Sequence, residues 1–329
     1  MHGFSAFNNA EDTLTFLSDS GISEGTLVNA LKGINLQGVN CPILLNVCAD
    51  DALLEACNLF KKAEGITGIS LSGGLLIAPV LSADLSLGAK LDAIASAISA
   101  TAIIDNFSDD EAGVIAWSKN YGSQSTLLTH GMYEADGVDV SASALYAGVI
   151  ASFDAKPFGW AKSHSNRAVK GVSASKRVIE YVDGECEARR MRQAGVAMIL
   201  RDVGFRTYGF ETTDIDVIWQ SLDRVRCFQR LLAAINESAK WARDREASEL
   251  IWVKNSIETF ANELKGNDVI IGFEVFFDPE KNTKATVTAG KFYLTVLVSD
   301  MPSVRELNIE LVYSDNWNEV LINYINGGE

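Results

Sequence analysis

In the first half of the chain, short apolar runs alternate with helix-periodic stretches, and this alternation restricts the fold more than any other feature. Residues 26–34 read as a helix end and Pro42 to Val47 as a strand. Asp50 to Ala63 reads as a helix capped by Asp50 or Asp51. Leu75 to Pro79 is a strand, and Asp84 to Ala100 an Ala-rich helix with Leu87, Leu91, Ile94 and Ile98 on one face. Then come a strand (Thr101 to Asn106), a helix (Asp109 to Asn120), a strand (Ser125 to His130) and a helix (Ser141 to Phe153). A strand reaches a parallel neighbour only by a crossover, so this order predicts βαβ units and a largely parallel sheet.

Phe158 to Gly171 is a loop by composition, followed by a strand (Arg177 to Val182), a short helix (Glu185 to Ala194) and a strand (Val196 to Asp202). The last third changes style. Ile218, Leu222, Val225, Leu232, Ile235 and Ala239 mark one face of a long helix. Leu250, Val253, Ile257, Phe260 and Leu264 mark a second, ending near Gly266. Three period-2 runs follow: Val269 to Phe277, Phe292 to Val298, and Leu307, Ile309, Leu311 and Tyr313 with Glu306, Asn308 and Glu310 opposite. The expected fold is α/β: a mixed, mainly parallel sheet domain, then a compact α+β C-terminal domain of two long helices and three antiparallel strands.

Charge narrows the function. The 329 residues carry a net charge of −15, which disfavours nucleic acid and anionic membrane as partners. All thirteen arginines lie at or after Arg167, and residues 1–160 hold 6 Lys against 18 acidic side chains. Such a split suggests one part facing water and another packing against neighbours. No basic stretch followed by an apolar run opens the chain, so no secretory signal is expected. The uncharged run Ile66 to Ala83 is broken by Gly, Ser and Pro79 and reads as a buried strand with a loop. Five cysteines (41, 48, 57, 186, 227), an odd number without a CxxC pair, indicate reduced thiols rather than a disulfide framework or zinc site.

Chemistry-bearing motifs are sparse. GxxxxGK[ST], GxGxxG and HExxH are absent, Gly73-Gly74 is a turn, and Gly68-Ile-Ser-Leu-Ser misses the nucleophile elbow at Ser72. Histidines 2, 130 and 164 are too scattered for a metal cluster. Asp109-Asp110-Glu111 open a helix, where caps and the macrodipole favour acids. Asp105 ends a strand, where α/β enzymes place catalytic groups, and an enzyme reading would pair it with His130. Arg189, Arg190, Arg192, Arg201 and Arg206, continued by Arg224, Arg226 and Arg230, are interleaved with acids and suit ion-paired subunit contacts better than a phosphate track. Trp317, in the polar tail, hints at an interface. No catalytic, cofactor-binding or metal residue is assigned.

Four segments, in order, resemble one family. Residues 156–172 contain Ser165-Asn166-Arg167 followed by Gly171-Val172, similar to the Ser-Asn-Arg-x-x-x-Gly-Val stretch of contractile phage tail sheath proteins. Residues 194–209, with Gly195, Arg201, Gly204, Phe205 and Arg206, resemble the sheath segment in which an "AGV" turn precedes a strand ending in "GFRLWG". Gly290 to Val296 with Met301 to Val312 resembles the C-terminal strands, and Gly25 to Leu31 the family's early helix. The resemblance covers roughly residues 20–329.

It implies a sheath of a phage tail or a phage-like bacteriocin or injection system: six subunits per ring, stacked helically around a tail tube and contracting without a nucleotide or other cofactor to drive the tube through a cell envelope. The implied partners are further copies of the chain, the tail tube protein, and baseplate and tail terminator proteins, with no nucleic acid and no membrane insertion. The implied place is the virion tail, assembled in the bacterial host cytoplasm. Rings would be joined by arms that add strands to a neighbour's sheet. The expected division is a short N-terminal arm at 1–20, an α/β domain at 21–210, an α+β domain at 211–315 and an extended C-terminal arm at 316–329, with Trp317, Val320, Leu321, Ile322, Tyr324 and Ile325 as interface residues. The opposing expectation for the tail is a final strand or helix packed on its own domain. Family members usually begin with a longer stretch before the early helix, so the N-terminal linkage is expected to be compressed or different.

Overall fold

The computed structural model describes residues 4–49, 52–182 and 184–327. The proposed caps Asp50 and Asp51 lie outside them. The chain starts with β1 (Phe4–Phe7), α1 (Ala10–Asp19), α2 (Thr26–Leu36) and β2 (Ile43–Asn46). β1 and β2 pair antiparallel, and α1 lies on α2 around Leu17, Val28, Leu31 and Leu45. The described part of the expected 1–20 arm is therefore folded back on its own chain, because Ala10 and Leu17 find an apolar seat there. The strand expected at 42–47 is present but stands outside the main sheet.

A broken helix follows: α3 (Leu53–Ala56), a 3-10 turn (Cys57–Lys62) and α4 (Ala63–Thr67), ended by Gly68 at φ +74°. Then β3 (Leu75–Ile77), α5 (Leu85–Ile98), β4 (Thr101–Asn106), α6 (Glu111–Ser118) and β5 (Thr126–His130) alternate as the sequence predicts. Asp84 and Asp110 cap α5 and α6 through their carboxylates. Next come a hairpin of β6 (Met132–Ala135) and β7 (Val138–Ser141), α7 (Ala142–Asp154), β8 (Val172–Ser175), α8 (Glu187–Gln193), β9 (Val196–Asp202) and β10 (Gly204–Tyr208).

The central sheet has the order β10-β9-β5-β4-β3, parallel except for edge strand β10. Both faces are covered. Ile103, Leu127 and Ile199 join α7, Ala30 of α2 and the hairpin in one core, while Ala102, Ile104, Leu128 and Met198 join α5, α6 and α8 in the other. The two-residue period of a strand sends neighbours to opposite cores, so these strands read as unbroken apolar runs.

One expectation in this region needs correction. Arg177 to Val182 is not a strand: Ala188 N–H donates to the Glu180 carbonyl and Glu180 N–H to the Glu187 carboxylate, which ties the segment to the start of α8. The neighbouring strand is β8, which pairs with β6 in a three-stranded antiparallel sheet that the sequence reading did not foresee. Asp136-Gly137, both at positive φ in the β6–β7 turn, was the available signal.

The C-terminal module contains α9 (Leu222–Ala239), α10 (Leu250–Gly266), β11 (Ile270–Phe277), α11 (Lys284–Thr288) and β12 (Leu294–Asp300), and ends with α12 (Asn318–Ile325). α9 is shared: Leu222 and Val225 are buried in the α/β core, Cys227 and Leu231 in the module's own core. β11 and β12 pair antiparallel, but the expected third strand does not form. Residues 301–315 have no regular structure, and Leu307, Ile309, Leu311 and Tyr313 are exposed. Pro302, lacking an N–H, interrupts any continuing ladder. The tail is also not extended. With no strand beside it to pair its backbone, 318–325 satisfies its hydrogen bonds internally as a helix.

Candidate assembly interface

The residues of the recognised motifs converge on β10. Asn166, in the left-handed region at φ +57°, donates its N–H to the Thr207 carbonyl (2.7 Å) and accepts from Arg206 Nε through its side-chain oxygen (2.7 Å). Ser165 Oγ accepts the Gly209 N–H (3.0 Å), and Arg167 N–H donates to Thr207 Oγ1 (2.9 Å). The Arg167 guanidinium lies 4.4 Å from the centre of the Phe153 ring. Val169 N–H donates to the Phe205 carbonyl and Thr207 N–H to the Arg167 carbonyl, so residues 166–169 cover β10 as a further strand would. Gly171, at φ +76°, places its Cα against Leu36, where a Cβ would come within 2.8 Å of a methyl carbon. Gly195 turns α8 into β9, Gly204 closes the β9–β10 hairpin, Phe205 is buried, and Arg201 is exposed. The structure brings Ser165, Asn166, Arg167, Phe205 and Arg206 together; Gly171, Gly195 and Gly204 act as turns apart from them. The group is a sheet-edge device, with no chemistry of its own.

Of the arginine cluster, Arg189, Arg190, Arg192, Arg224, Arg226 and Arg230 are ion-paired within the chain, while Arg201 is exposed and Arg206 bonds Asn166. Arg190 grips Glu111 with two nitrogens (2.6 and 2.8 Å), Arg192 reaches Glu211 (2.6 Å), and Arg224 Nε spans both oxygens of Asp300 (2.8 and 3.0 Å). At the centre of the molecule, Arg226 is fully buried and bonds Asp154 at the end of α7; His164 Nε2 lies 3.3 Å and Arg230 3.8 Å from the same carboxylate. Burial pushes Asp154 upward, but Arg226, His164 and Arg230 outweigh it and hold the carboxyl below its usual value. Burial, reinforced by Arg226, keeps His164 neutral by lowering its pKa. Sequence reasoning missed this cluster because Asp154, His164 and Arg226 share no local pattern.

The enzyme reading does not gather a site. Asp105 is buried and accepts from Val80 N–H (2.9 Å), Ser143 N–H (2.9 Å) and Ser143 Oγ (2.6 Å), so it fastens the start of α7. Burial raises its pKa. His130 turns elsewhere: Nδ1 meets Asn106 Oδ1 (3.0 Å) and Nε2 accepts from Arg177 (2.8 Å), with burial and Arg177 lowering its pKa to about 4. Among the described residues no group of three His, Cys, Asp or Glu could hold a metal ion, and no helix is long and apolar enough to cross a membrane.

The surface that stands out is the tail. Trp317 is 71% exposed, Tyr324 80% and Ile325 70%, and Val320, Leu321 and Ile322 are also exposed. In α12, Asn318, Glu319 and Asn323 are the polar positions, and Val320, Leu321, Ile322, Tyr324 and Ile325 make up the remainder of the helix. Neither the helix nor residues 307–313 before it are packed on their own chain, against the expectation of a docked final element. β11 and β12 each keep an outer edge without a strand partner among the described residues.

Comparison with known proteins then decides the family. The chain is 32% identical over 274 residues to a prophage protein of Pseudomonas aeruginosa (strain UCBPP-PA14) described as a major tail sheath protein, covering 80% of this chain and 70% of that one. The chain belongs to the tail sheath family. It is 25% identical over 189 residues to the tail sheath protein of Escherichia phage P2, an alignment spanning 48% of that protein. Its fold matches a chain of the six-fold symmetrised anti-feeding prophage baseplate (TM-score 0.75, 18% identity, 94% of this chain and 88% of that one). It equally matches the sheath of the extracellular contractile injection system PVC in its contracted state (TM-score 0.75, 16% identity, 95% and 87%). No protein-family profile matches the chain. The protein is thus a structural tail sheath subunit, not an enzyme.

Proposed function

We propose that this sheath subunit polymerises as helically stacked six-subunit rings around a tail tube and contracts without a nucleotide to drive the tube through a cell envelope. The observation that carries this reading is the exposed tail, with 307–313 patterned as a strand and 318–325 an apolar helix, leaving a molecule whose two-stranded β11–β12 sheet has open edges among the described residues. A strand-competent tail in one copy and an open sheet edge in another are complementary, because main-chain hydrogen bonds can join them. Such bonds survive rigid-body rotation of subunits when the tail acts as the hinge. In this reading 307–313 supplies the added strand and Trp317, Val320, Leu321, Ile322, Tyr324 and Ile325 the apolar contacts that follow it. The partners are further copies, the tail tube protein, and baseplate and tail terminator proteins, in a tail assembled in the bacterial cytoplasm; nucleic acid and membrane insertion have no part.

Electron microscopy of the full chain co-expressed with its tube protein tests the proposal. Hollow rods of uniform diameter, shortening and widening on triggering, are the expected result. Dispersed particles in the presence of the tube would overturn it. Virion tail and phage-like injection machine share this subunit physics, and the neighbouring genes distinguish them.

A further inference from the structure

The connection between β12 and the tail is anchored at several points. Met301 N–H still pairs with the Val269 carbonyl (3.1 Å). Met301 to Arg305 form one wall of a groove of about 590 Å³ whose other walls include Asn166, Arg192, Arg206 and Tyr208 of the α/β domain. Ser303 Oγ donates to the nearly buried carboxylate of Asp223 in the first turn of α9, and Arg305 lies 4.0 Å from its other oxygen. Glu306 reaches across to Arg189 of α8 (2.8 Å). Residues 302–306 are thus a strap fixed to both parts of the molecule. Immediately beyond it every side chain from Leu307 to Tyr313 is exposed.

The placement is unexpected on sequence grounds. A six-residue connection from β12 to an alternating apolar run is an ordinary hairpin length, and β12 has an outer edge without a strand partner among the described residues. Left to local pairing, 307–313 would fold back as the third strand of its own sheet. We propose that the strap is a clamp against self-pairing: Asp223, Arg189 and Pro302 hold the chain against the α/β domain and the start of α9 so that 307–313 cannot reach the outer edge of its own β12 and stays available to a second copy. The inference rests on the sheath reading for the use of the freed strand, but not for the clamp itself. Each contact is individually weak, Arg189 and Glu306 being partly exposed, so the clamp acts through their combination.

The test uses the full chain with Ser303→Ala, Arg305→Glu and Glu306→Arg combined, substitutions on exposed or half-buried positions. Hydrogen exchange reads residues 307–313, and electron microscopy with the tube protein reads assembly. Release of the clamp is expected to raise exchange protection of 307–313 by about fivefold to thirtyfold and to cut rod formation in parallel. Adding Arg189→Glu, which restores an opposite-charge pair between position 189 and the substituted position 306, is expected to recover part of both. Unchanged protection of 307–313 overturns the clamp, whether or not rods form. Protection gained in a chain whose wild type makes no rods with its tube sustains the clamp and removes the sheath reading.

Discussion

Asp154 shows how one carboxylate joins two halves of a protein. It closes α7 of the α/β domain, and its partners Arg226 and Arg230 belong to α9, which enters the C-terminal module. A buried pair offsets its own desolvation only while both members are present. Asp154→Leu or Arg226→Met alone is therefore expected to destabilise the protein by about 3–5 kcal/mol, and the double substitution by less than either. Urea unfolding midpoints at unchanged slope check this. Histidine sets the pH response. His130 has its pKa lowered from 6.5 to about 4, so the unfolded chain takes up protons that the folded chain refuses. The stability from neutral His130 is complete above pH 6.5 and is lost as pH falls toward about 4, with His164 acting in the same direction. Urea midpoints should fall through that window, and His130→Asn should flatten the fall.

Among the elements, the loop 163–171 and β10 behave as one. Their hydrogen bonds depend on Asn166 holding φ +57°, a conformation that asparagine tolerates better than most residues. Asn166→Ala also removes the acceptor for Arg206, and is expected to cost about 1–2 kcal/mol. The amides of Val169 and Thr207 should then exchange faster while those of β4 and β5 do not change. The βαβ alternation was legible because a strand buried on both faces is an apolar run and a helix start announces itself by its cap, as Asp84 and Asp110 do. The β6–β7 hairpin was readable from Asp136-Gly137 and was missed. The strand expected at 177–182 failed for a different reason: its apolar residues fit a strand, but Glu180 found partners at the start of α8.

For the whole molecule, the tail separates folding from assembly. Residues 316–327 bury no side chain on their own chain. Deleting 316–329 should leave the thermal midpoint within a few degrees of wild type, because almost no native contact is lost. The same deletion should abolish rods in the presence of the tube protein, and normal rods would show that the tail is not the link between subunits. The acidic first half and the arginine-rich second half follow the same division. Most of those arginines are satisfied inside the chain, as Arg190 with Glu111 and Arg192 with Glu211 show, so the charge split alone does not define a contact surface.

The sequence by itself determined the alternating α/β core, the two amphipathic helices that follow and the family, since periodicity, caps and short ordered motifs are local properties that survive in a linear string. Only the tertiary structure decided that residues 4–19 fold back, that Asp154, His164 and Arg226 meet in the interior, and that 307–313, patterned as a strand, remains without a partner. The reason is that a period-2 pattern states which face a segment would bury. Whether a sheet edge of the same chain lies within reach is set by where Pro302 and the contacts of Ser303, Arg305 and Glu306 direct the backbone.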